Sequence, residues 1–188
     1  MNKNIILAGV GGQGILTIAS IIDLAAIQSG LHIKQAEVHG MSQRGGEVQS
    51  HLRISSTIIH SDLIPLGQAD LIISVEPLEA LRYVPFLKKD GIIISATEPF
   101  VNINNYPNID EVLHELQKFN CKLIAAAEIA QQLGNAKAYN LVLLGTAAPY
   151  IGIEKSVIEN AIRTLFAAKG EIVISSNIEA FNKGLELL

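Results

Sequence analysis

The chain has 188 residues, of which 49% are hydrophobic and only 17% are charged, so a single domain with a full core is expected and intrinsic disorder is excluded. The formal net charge of −4 excludes a general basic field for nucleic acid. The single cysteine, Cys121, excludes an intrachain disulfide and a cysteine-ligated iron–sulfur or zinc centre within this chain alone.

The apolar start of the chain is interrupted by several glycines, and Asp23 follows them. This pattern argues against a signal peptide. Elsewhere, acidic residues, prolines or glycines break each apolar run before it reaches the roughly 20 residues that cross a bilayer. We therefore expect a cytoplasmic protein with no transmembrane segment.

The first part of the chain predicts strand, helix, strand and strand. Residues 4–10 form an apolar run that ends in glycines, which is typical of a strand buried on both faces of a parallel sheet. An amphipathic stretch over 12–29 predicts a helix that Gly30 ends. Residues 31–38 predict a second strand, and alternation over 46–54 predicts a third strand with one polar face.

The middle of the chain predicts a parallel pair of strands. Apolar runs at 69–75 and 91–96 predict the two strands, and residues 77–89 between them are long enough for a crossover helix. Residues 97–110 hold four Asn and two Pro without periodicity, which indicates a surface excursion.

The remainder of the chain is predominantly helical. A last short strand is predicted over 122–126, and residues 172–174 are also open to a strand. Helix patterns lie over 110–120, 128–133, 139–151, 156–169 and 176–188. Within them, Tyr139 and Asn140 are expected simply to start a helix, and Gly145 to permit close helix packing. The sequence thus predicts one α/β domain over 1–188: a mostly parallel open sheet with a Rossmann-like start and a helical C-terminal third.

The string GVGGQG at residues 9–14 is a GxGxxG motif between a predicted strand and a predicted helix. Glycines permit a tight turn there, and the free N–H groups at a helix start favour an anion such as phosphate. Glu37 follows Gly14 by 23 residues, where dinucleotide-binding folds place the acid that accepts from a ribose hydroxyl. The spacing is equally compatible with an alternative, in which the glycines serve only close packing of the helix against the strand and Glu37 is a solvated residue at the strand end.

The next segment, EVHGMSQRGGE at residues 37–47, combines two carboxylates, an imidazole, an arginine and three glycines at the end of a predicted strand. Open α/β sheets form their ligand crevice at this edge. Arg44 beside Gly45 and Gly46 could bind phosphate or carboxylate with its guanidinium fork. The alternative is a long polar hairpin loop.

Taken together, GVGGQG at 9–14 and EVHGMSQRGGEV at 37–48 resemble the gamma-type domain of the 2-oxoacid:ferredoxin oxidoreductases, and most closely the small subunit of the indolepyruvate type. The HGMSQRGG string at this distance after GxGGQG is the specific part. The resemblance spans nearly the whole chain, including weaker matches at Glu76-Pro77 and over 140–145.

The resemblance implies a share in a larger enzyme. Enzymes of this family decarboxylate a 2-oxoacid on thiamine diphosphate, pass electrons through iron–sulfur clusters to ferredoxin, and release an acyl-coenzyme A. In the indolepyruvate type, the thiamine diphosphate, its magnesium ion and the clusters belong to the larger catalytic subunit. This chain is therefore expected to hold no cofactor or metal of its own, to be inactive alone, and to work in a hetero-oligomer on an aryl pyruvate with coenzyme A as co-substrate. Partnership with nucleic acid or a membrane is not expected.

The resemblance also implies two groups of site residues and no catalytic acid or base. The first group faces an anion, such as a coenzyme A phosphate, or contacts another subunit: Gly11, Gly12, Gln13 and Gly14. The second group shapes a crevice against the catalytic subunit, with Arg44 expected to meet an anion: Glu37, His39, Gln43, Arg44, Gly45 and Gly46.

Two other functions stay open on the residues alone. One is a self-sufficient NAD(P)-binding protein, in which Glu37 holds the adenine ribose and residues 11–14 hold the pyrophosphate. The other is a module that senses a phosphorylated metabolite without chemistry. The HGMSQRGG string favours the oxidoreductase subunit, because a dinucleotide enzyme has no stated need for it.

Overall fold

The computed structural model describes residues 1–39 and 46–187, and of His39 only the backbone. These ranges form one six-stranded sheet and seven α-helices. The strands are β1 (Asn2–Val10), β2 (His32–His39), β3 (Glu47–Ser55), β4 (Ala69–Ser74), β5 (Leu87–Ala96) and β6 (Cys121–Ile124). The helices are α1 (Ile15–Gln28), α2 (Pro77–Arg82), α3 (Ile109–Leu116), α4 (Ala126–Gln132), α5 (Tyr139–Ile151), α6 (Lys155–Phe166) and α7 (Glu171–Leu185).

The strand order across the sheet is β2-β3-β1-β4-β5-β6. The pairs β1–β4, β4–β5 and β5–β6 are parallel, whereas β3 is antiparallel to both β1 and β2. Of the described strands, β3 alone is therefore reversed. The predicted mostly parallel open sheet and the helical last third of the chain are confirmed.

Strand β3 lies between β1 and β2, which changes what the Rossmann-like start implies. A dinucleotide-binding unit pairs its first two strands directly. Here Glu37 of β2 is opposite Ser50 of β3, and Ser50 is opposite Leu7 of β1. Two strand spacings, about 10 Å, therefore separate the Glu37 and Leu7 backbones. Strand β3 occupies this position because its apolar face, which includes Leu52 and Ile54, is buried in the core that contains helix α1.

The structure corrects the predicted crossover helix and the strand alternative for residues 172–174. Helix α2 ends at Arg82 rather than at residue 89. Residues Val84–Phe86 form a 3-10 turn, in which Pro85 has no N–H to continue the hydrogen bonds of an α-helix. The strand alternative for 172–174 is wrong. These residues belong to α7, where Ile174 is buried and Ile172 is 85% exposed, as a helical face requires.

The sheet is buried on both faces. On one face, Ile5 and Leu7 belong to a core with α1, α4, α5, α6 and α7, and on the other, Ile6 and Ala8 pack with α2 and α3. In the described part of the chain, no helix has the length and apolar character of a membrane span.

This layering decides where a crevice opens. The chain leaves β1 toward α1 on one face and leaves β4 toward α2 on the other. Adjacent parallel strands whose helices lie on opposite faces form a crevice at their carboxyl ends. Residues 9–14, called here the glycine turn, lie at the carboxyl end of β1 in that crevice.

Candidate functional site

Two separate structural features explain why glycine occupies positions in the turn: positive φ angles and close packing. Gly12 and Gly14 have φ angles of +98° and +81°, which favour glycine, and Gly14 begins helix α1. A Cβ on Gly9 would lie 2.3 Å from Val75 Cγ2 and 2.8 Å from Ile15 Cδ1. Close packing therefore explains Gly9, whereas a Cβ on Gly12 would meet no described residue within 4 Å.

The side chain of Gln13 braces the turn from inside. Its Oε1 accepts from the Val10 N–H at 2.7 Å, and its backbone N–H donates to the Val10 carbonyl at 3.1 Å. Its Nε2 lies 3.5 Å from the Val75 carbonyl oxygen. The Gln13 carboxamide is thus engaged with the protein, so the backbone of the turn is the part left to face a ligand.

Helix α5 holds the turn from outside. The Tyr139 hydroxyl donates to the Gln13 carbonyl at 2.9 Å, and Asn140 Nδ2 donates to the Gly14 carbonyl at 3.2 Å. Burial raises the pKa of Tyr139 to about 12, so the hydroxyl keeps its proton and remains a donor at neutral pH. The expectation that these two residues simply start a helix missed this contact. The weak family match over 140–145 was the one signal in the sequence that could have revealed it.

Two of the cavities in the described part of the chain flank the turn. A cavity of about 680 Å³ lies between the turn, α5 and α7, and its lining includes Gly12, Gly14, Thr17, Lys137 and Lys169. Two lysines beside a helix start make this side suited to an anion.

The second cavity, of about 480 Å³, lies on the side of the turn nearer β4 and β5. Its lining includes Gly11, Val75, Glu98 and Phe100. Glu98 Oε1 accepts from the Ala127 N–H at 2.9 Å, whereas its Oε2 is buried and has no partner among the described residues. Among the described residues, this side therefore carries an acid and apolar side chains rather than cations.

The second group of predicted site residues is only partly brought to the turn. The Gly11 N–H donates to the Gly46 carbonyl at 2.9 Å, so Gly46 is adjacent to the turn. Glu37 is separated from it by β3, and its carboxylate accepts from Gln35 Nε2. Gln43, Arg44 and Gly45 lie outside the described residues, as does the side chain of His39.

Glu76 is a further buried carboxylate at this edge of the sheet, and it is 1% exposed. Its Oε2 caps α2 by accepting from the Glu79 N–H at 2.8 Å. Its Oε1 accepts from the Phe100 N–H at 3.3 Å and from the Tyr106 hydroxyl. One carboxylate thus joins α2 to the predicted surface excursion that borders the smaller cavity.

The described residues contain no group of three or more His, Cys, Asp or Glu side chains placed to share a metal ion. The displacement of Glu37 from the turn also counts against the NAD(P)-binding alternative, which needs that acid beside the glycines. The geometry therefore favours an anion held at the glycine turn without a dinucleotide ribose site at β2.

Comparison with known proteins decides the family. The model of the pyruvate ferredoxin/flavodoxin oxidoreductase family matches residues 4–187. The chain belongs to this family. It is 40% identical to the indolepyruvate oxidoreductase subunit IorB of Archaeoglobus fulgidus, over 98% of this chain and 94% of that protein. It is 30% identical to the pyruvate/ketoisovalerate oxidoreductases common subunit gamma of Thermococcus kodakarensis, over 93% of each chain.

A solved structure shows the same fold within a longer chain. The 2-oxoglutarate:ferredoxin oxidoreductase of Magnetococcus marinus, with 2-oxoglutarate, coenzyme A and succinyl-CoA bound, matches with a TM-score of 0.80 and 21% identity. The match covers 99% of this chain and 31% of that one, so this chain spans about a third of that protein. The predicted resemblance is confirmed, and the chain is a subunit of a 2-oxoacid:ferredoxin oxidoreductase.

Proposed function

We propose that this chain is the small subunit of an enzyme that oxidatively decarboxylates an aryl pyruvate, such as indolepyruvate, to an acyl-coenzyme A. The identity of 40% to an indolepyruvate oxidoreductase subunit supports this substrate class. A larger subunit would carry the thiamine diphosphate, magnesium and iron–sulfur clusters and pass electrons to ferredoxin. The single cysteine agrees with that division, because a cluster needs more cysteine ligands than this chain has. Two further expectations stay with this proposal: one gamma-type domain over 1–188 and a cytoplasmic location.

Within that complex, the proposed task of the glycine turn is to hold a phosphate group of coenzyme A. The observation that carries this is the turn itself: Gly12 and Gly14 in left-handed conformations at the start of α1, facing a cavity that Lys137 and Lys169 also line. Coenzyme A carries several phosphate charges, which helix-start N–H groups and lysines attract. Coenzyme A bound in the Magnetococcus marinus enzyme, which shares the fold, supports the same choice of ligand.

The chain's own part in the reaction is then binding and orientation rather than acid–base catalysis. Holding the phosphate end of coenzyme A places its thiol for acyl transfer in the neighbouring subunit, and such positioning alone accelerates a bimolecular step. Gly46 beside the turn, with His39, Gln43, Arg44 and Gly45, would shape the contact with that subunit, as the family resemblance implies. Glu37 is proposed to border this contact at β2, apart from the phosphate.

The partnership is tested by tagging the chain and purifying it anaerobically from its host. Mass spectrometry should identify a larger subunit with thiamine diphosphate and iron–sulfur clusters, and the preparation should reduce a dye when an aryl pyruvate is added. Recovery of the chain alone with a bound nucleotide would overturn the subunit proposal and favour the dinucleotide alternative.

The coenzyme A site is tested with a matched pair of glycine variants in the purified complex. Gly12 and Gly30 both have positive φ angles, +98° and +69°, and a Cβ on either meets no described residue within 4 Å. The two replacements by alanine therefore impose similar backbone strain at different places. We expect Gly12→Ala to raise the KM for coenzyme A and leave the KM for the 2-oxoacid unchanged, and Gly30→Ala to change neither. Equal coenzyme A KM values in both variants would contradict the site.

A further inference from the structure

We infer that Tyr139 and Asn140 are positioning residues for coenzyme A, because they orient the peptide groups of the glycine turn from helix α5. This inference rests on the proposed function. Each residue is 126 positions away in sequence from the carbonyl that it binds. Neither side chain is proposed to touch the phosphate.

The effect on the turn follows from peptide geometry. In a trans peptide the C=O and the N–H of the same unit point in opposite directions. The Tyr139 hydroxyl holds the Gln13 carbonyl, and this fixes the direction of the Gly14 N–H, which is opposite to that of the carbonyl. Asn140 Nδ2 donates to the Gly14 carbonyl and thereby helps to set the orientation of the Ile15 N–H. The same carbonyl also accepts from the N–H groups of Thr17 and Ile18. The orientations of two N–H donors at the start of α1 therefore depend on contacts to the carbonyl groups of the same peptide units.

The turn needs this support because its glycines do not restrict it. Gly12 and Gly14 have access to many backbone conformations, and no acceptor among the described residues pairs with either N–H group. Preorganised donors bind an anion better than mobile ones, because their ordering does not oppose binding. Contacts that lock the carbonyls therefore favour phosphate binding without any contact to phosphate.

Helix α5 is placed rigidly enough to serve this role. Asn140 is 5% exposed, and its Nδ2 lies 2.5 Å from the position that a Cβ on Gly14 would occupy. The Asn140 amide thus occupies the space that a side chain at position 14 would need. Farther along the helix, Thr146 is fully buried and its hydroxyl donates to the Gly184 carbonyl of α7 at 3.0 Å. The support reaches the turn from the core of the protein rather than from a surface loop.

The test compares three variants in the purified complex: Tyr139→Phe, Asn140→Leu and, as a control, Tyr150→Phe. The first removes one hydroxyl, and the second replaces the amide with an apolar group of similar size. The control makes the same chemical change as the first on the same helix, about three turns away. The KM for coenzyme A, the KM for the 2-oxoacid, kcat and the melting temperature are measured for each.

We expect the KM for coenzyme A to rise about fivefold for each of the first two variants, which is the factor that one neutral hydrogen bond of about 1 kcal/mol corresponds to. The KM for the 2-oxoacid should stay unchanged, and the control should leave both constants unchanged. In the purified complex without coenzyme A, hydrogen exchange of the Thr17 and Ile18 amides, which donate to the Gly14 carbonyl, should be faster in Asn140→Leu.

The possible failures are distinguishable. Unchanged coenzyme A KM values in Tyr139→Phe and Asn140→Leu, beside a raised value in Gly12→Ala, would overturn the positioning role and leave the proposed function standing. An unchanged value in Gly12→Ala as well would overturn both the positioning role and the proposed coenzyme A site. A parallel rise in both KM values with a lower melting temperature would show general destabilisation and would also overturn the positioning role.

Discussion

Gly145 of α5 lies directly against Gly184 of α7. A Cβ on Gly145 would lie 3.1 Å from the Gly184 Cα and 2.0 Å from the Phe181 carbonyl oxygen, and a Cβ on Gly184 would lie 2.0 Å from the Val142 carbonyl oxygen. The two helices therefore cross at backbone contact, which confirms the expected packing role of Gly145. The first residues of α5, Tyr139 and Asn140, contact the glycine turn, so this helix crossing helps to set the position of the residues that hold the turn.

Gly145→Ala should destabilise the fold by about 3 kcal/mol, because the new methyl group overlaps a carbonyl oxygen in a well-packed core. In an open helix the same change would stabilise by about 1 kcal/mol. Urea denaturation measures the difference, with Ser175→Ala on the exposed side of α7 as the control. An unfolding free energy equal to that of the wild type would contradict the contact.

Glu76→Gln should loosen the segment around Phe100 and Tyr106. A glutamine side chain has one carbonyl oxygen where the carboxylate has two, so the Glu79 N–H and the Phe100 N–H cannot both keep an acceptor. A buried donor without an acceptor costs about 1–3 kcal/mol. Limited digestion with chymotrypsin should cut the variant faster in this segment, whereas the exposed control Glu111→Gln should digest like the wild type.

Asp23→Asn should stabilise the protein at neutral pH. Burial, and then the charge of Glu37, raises the pKa of Asp23 from 3.8 to about 6, and its Oδ1 is buried without a partner among the described residues. The folded state therefore binds a proton more tightly than the unfolded state, and Asp23 lowers stability as pH rises from 3.8 through 6.

At pH 7, the gain from Asp23→Asn should be about 1 kcal/mol after allowance for the partial exposure of the group. It should disappear below pH 3.8, where the carboxyl is neutral in both states. Urea denaturation over this pH range measures the gain, with the exposed Asp62→Asn as the control. A gain that does not depend on pH would contradict the origin in Asp23 ionisation.

His51 should make the fold less stable in mild acid. It is 4% exposed, and burial lowers its pKa below 6.5. Its Nδ1 accepts from the Ile64 N–H at 3.1 Å. Protonation of Nδ1 would occupy the lone pair that accepts this hydrogen bond. The unfolded chain takes up this proton near pH 6.5 and the folded chain only at lower pH, so stability falls as pH drops below 6.5.

His51→Asn keeps an acceptor near the Nδ1 position and removes the titration. Between pH 7.5 and 5.5, the wild type should therefore lose more unfolding free energy than this variant in urea denaturation. The same loss in both proteins would show that His51 does not carry the pH dependence.

Local patterns predicted most of the elements of this fold. The continuous apolar run of β1 is buried on both faces, and Gly30 ends α1 at a positive φ angle, both as expected. The differences in bounds have causes that an apolar pattern does not register, such as the proline after α2 and the polar start of β5. Strand β5 begins at Leu87, before the predicted start, because its first residues are largely polar and lack the apolar signal.

The sequence by itself determined the α/β class, the glycine turn at a helix start, and the family, because each depends on residues close together in the chain. Only the tertiary structure decided that β3 lies between β1 and β2, so that Gly46 reaches the turn and Glu37 does not. It also decided that Tyr139 and Asn140 hold the turn. Strand order and contacts across 126 residues depend on how complete elements pack, and a local pattern does not contain that information.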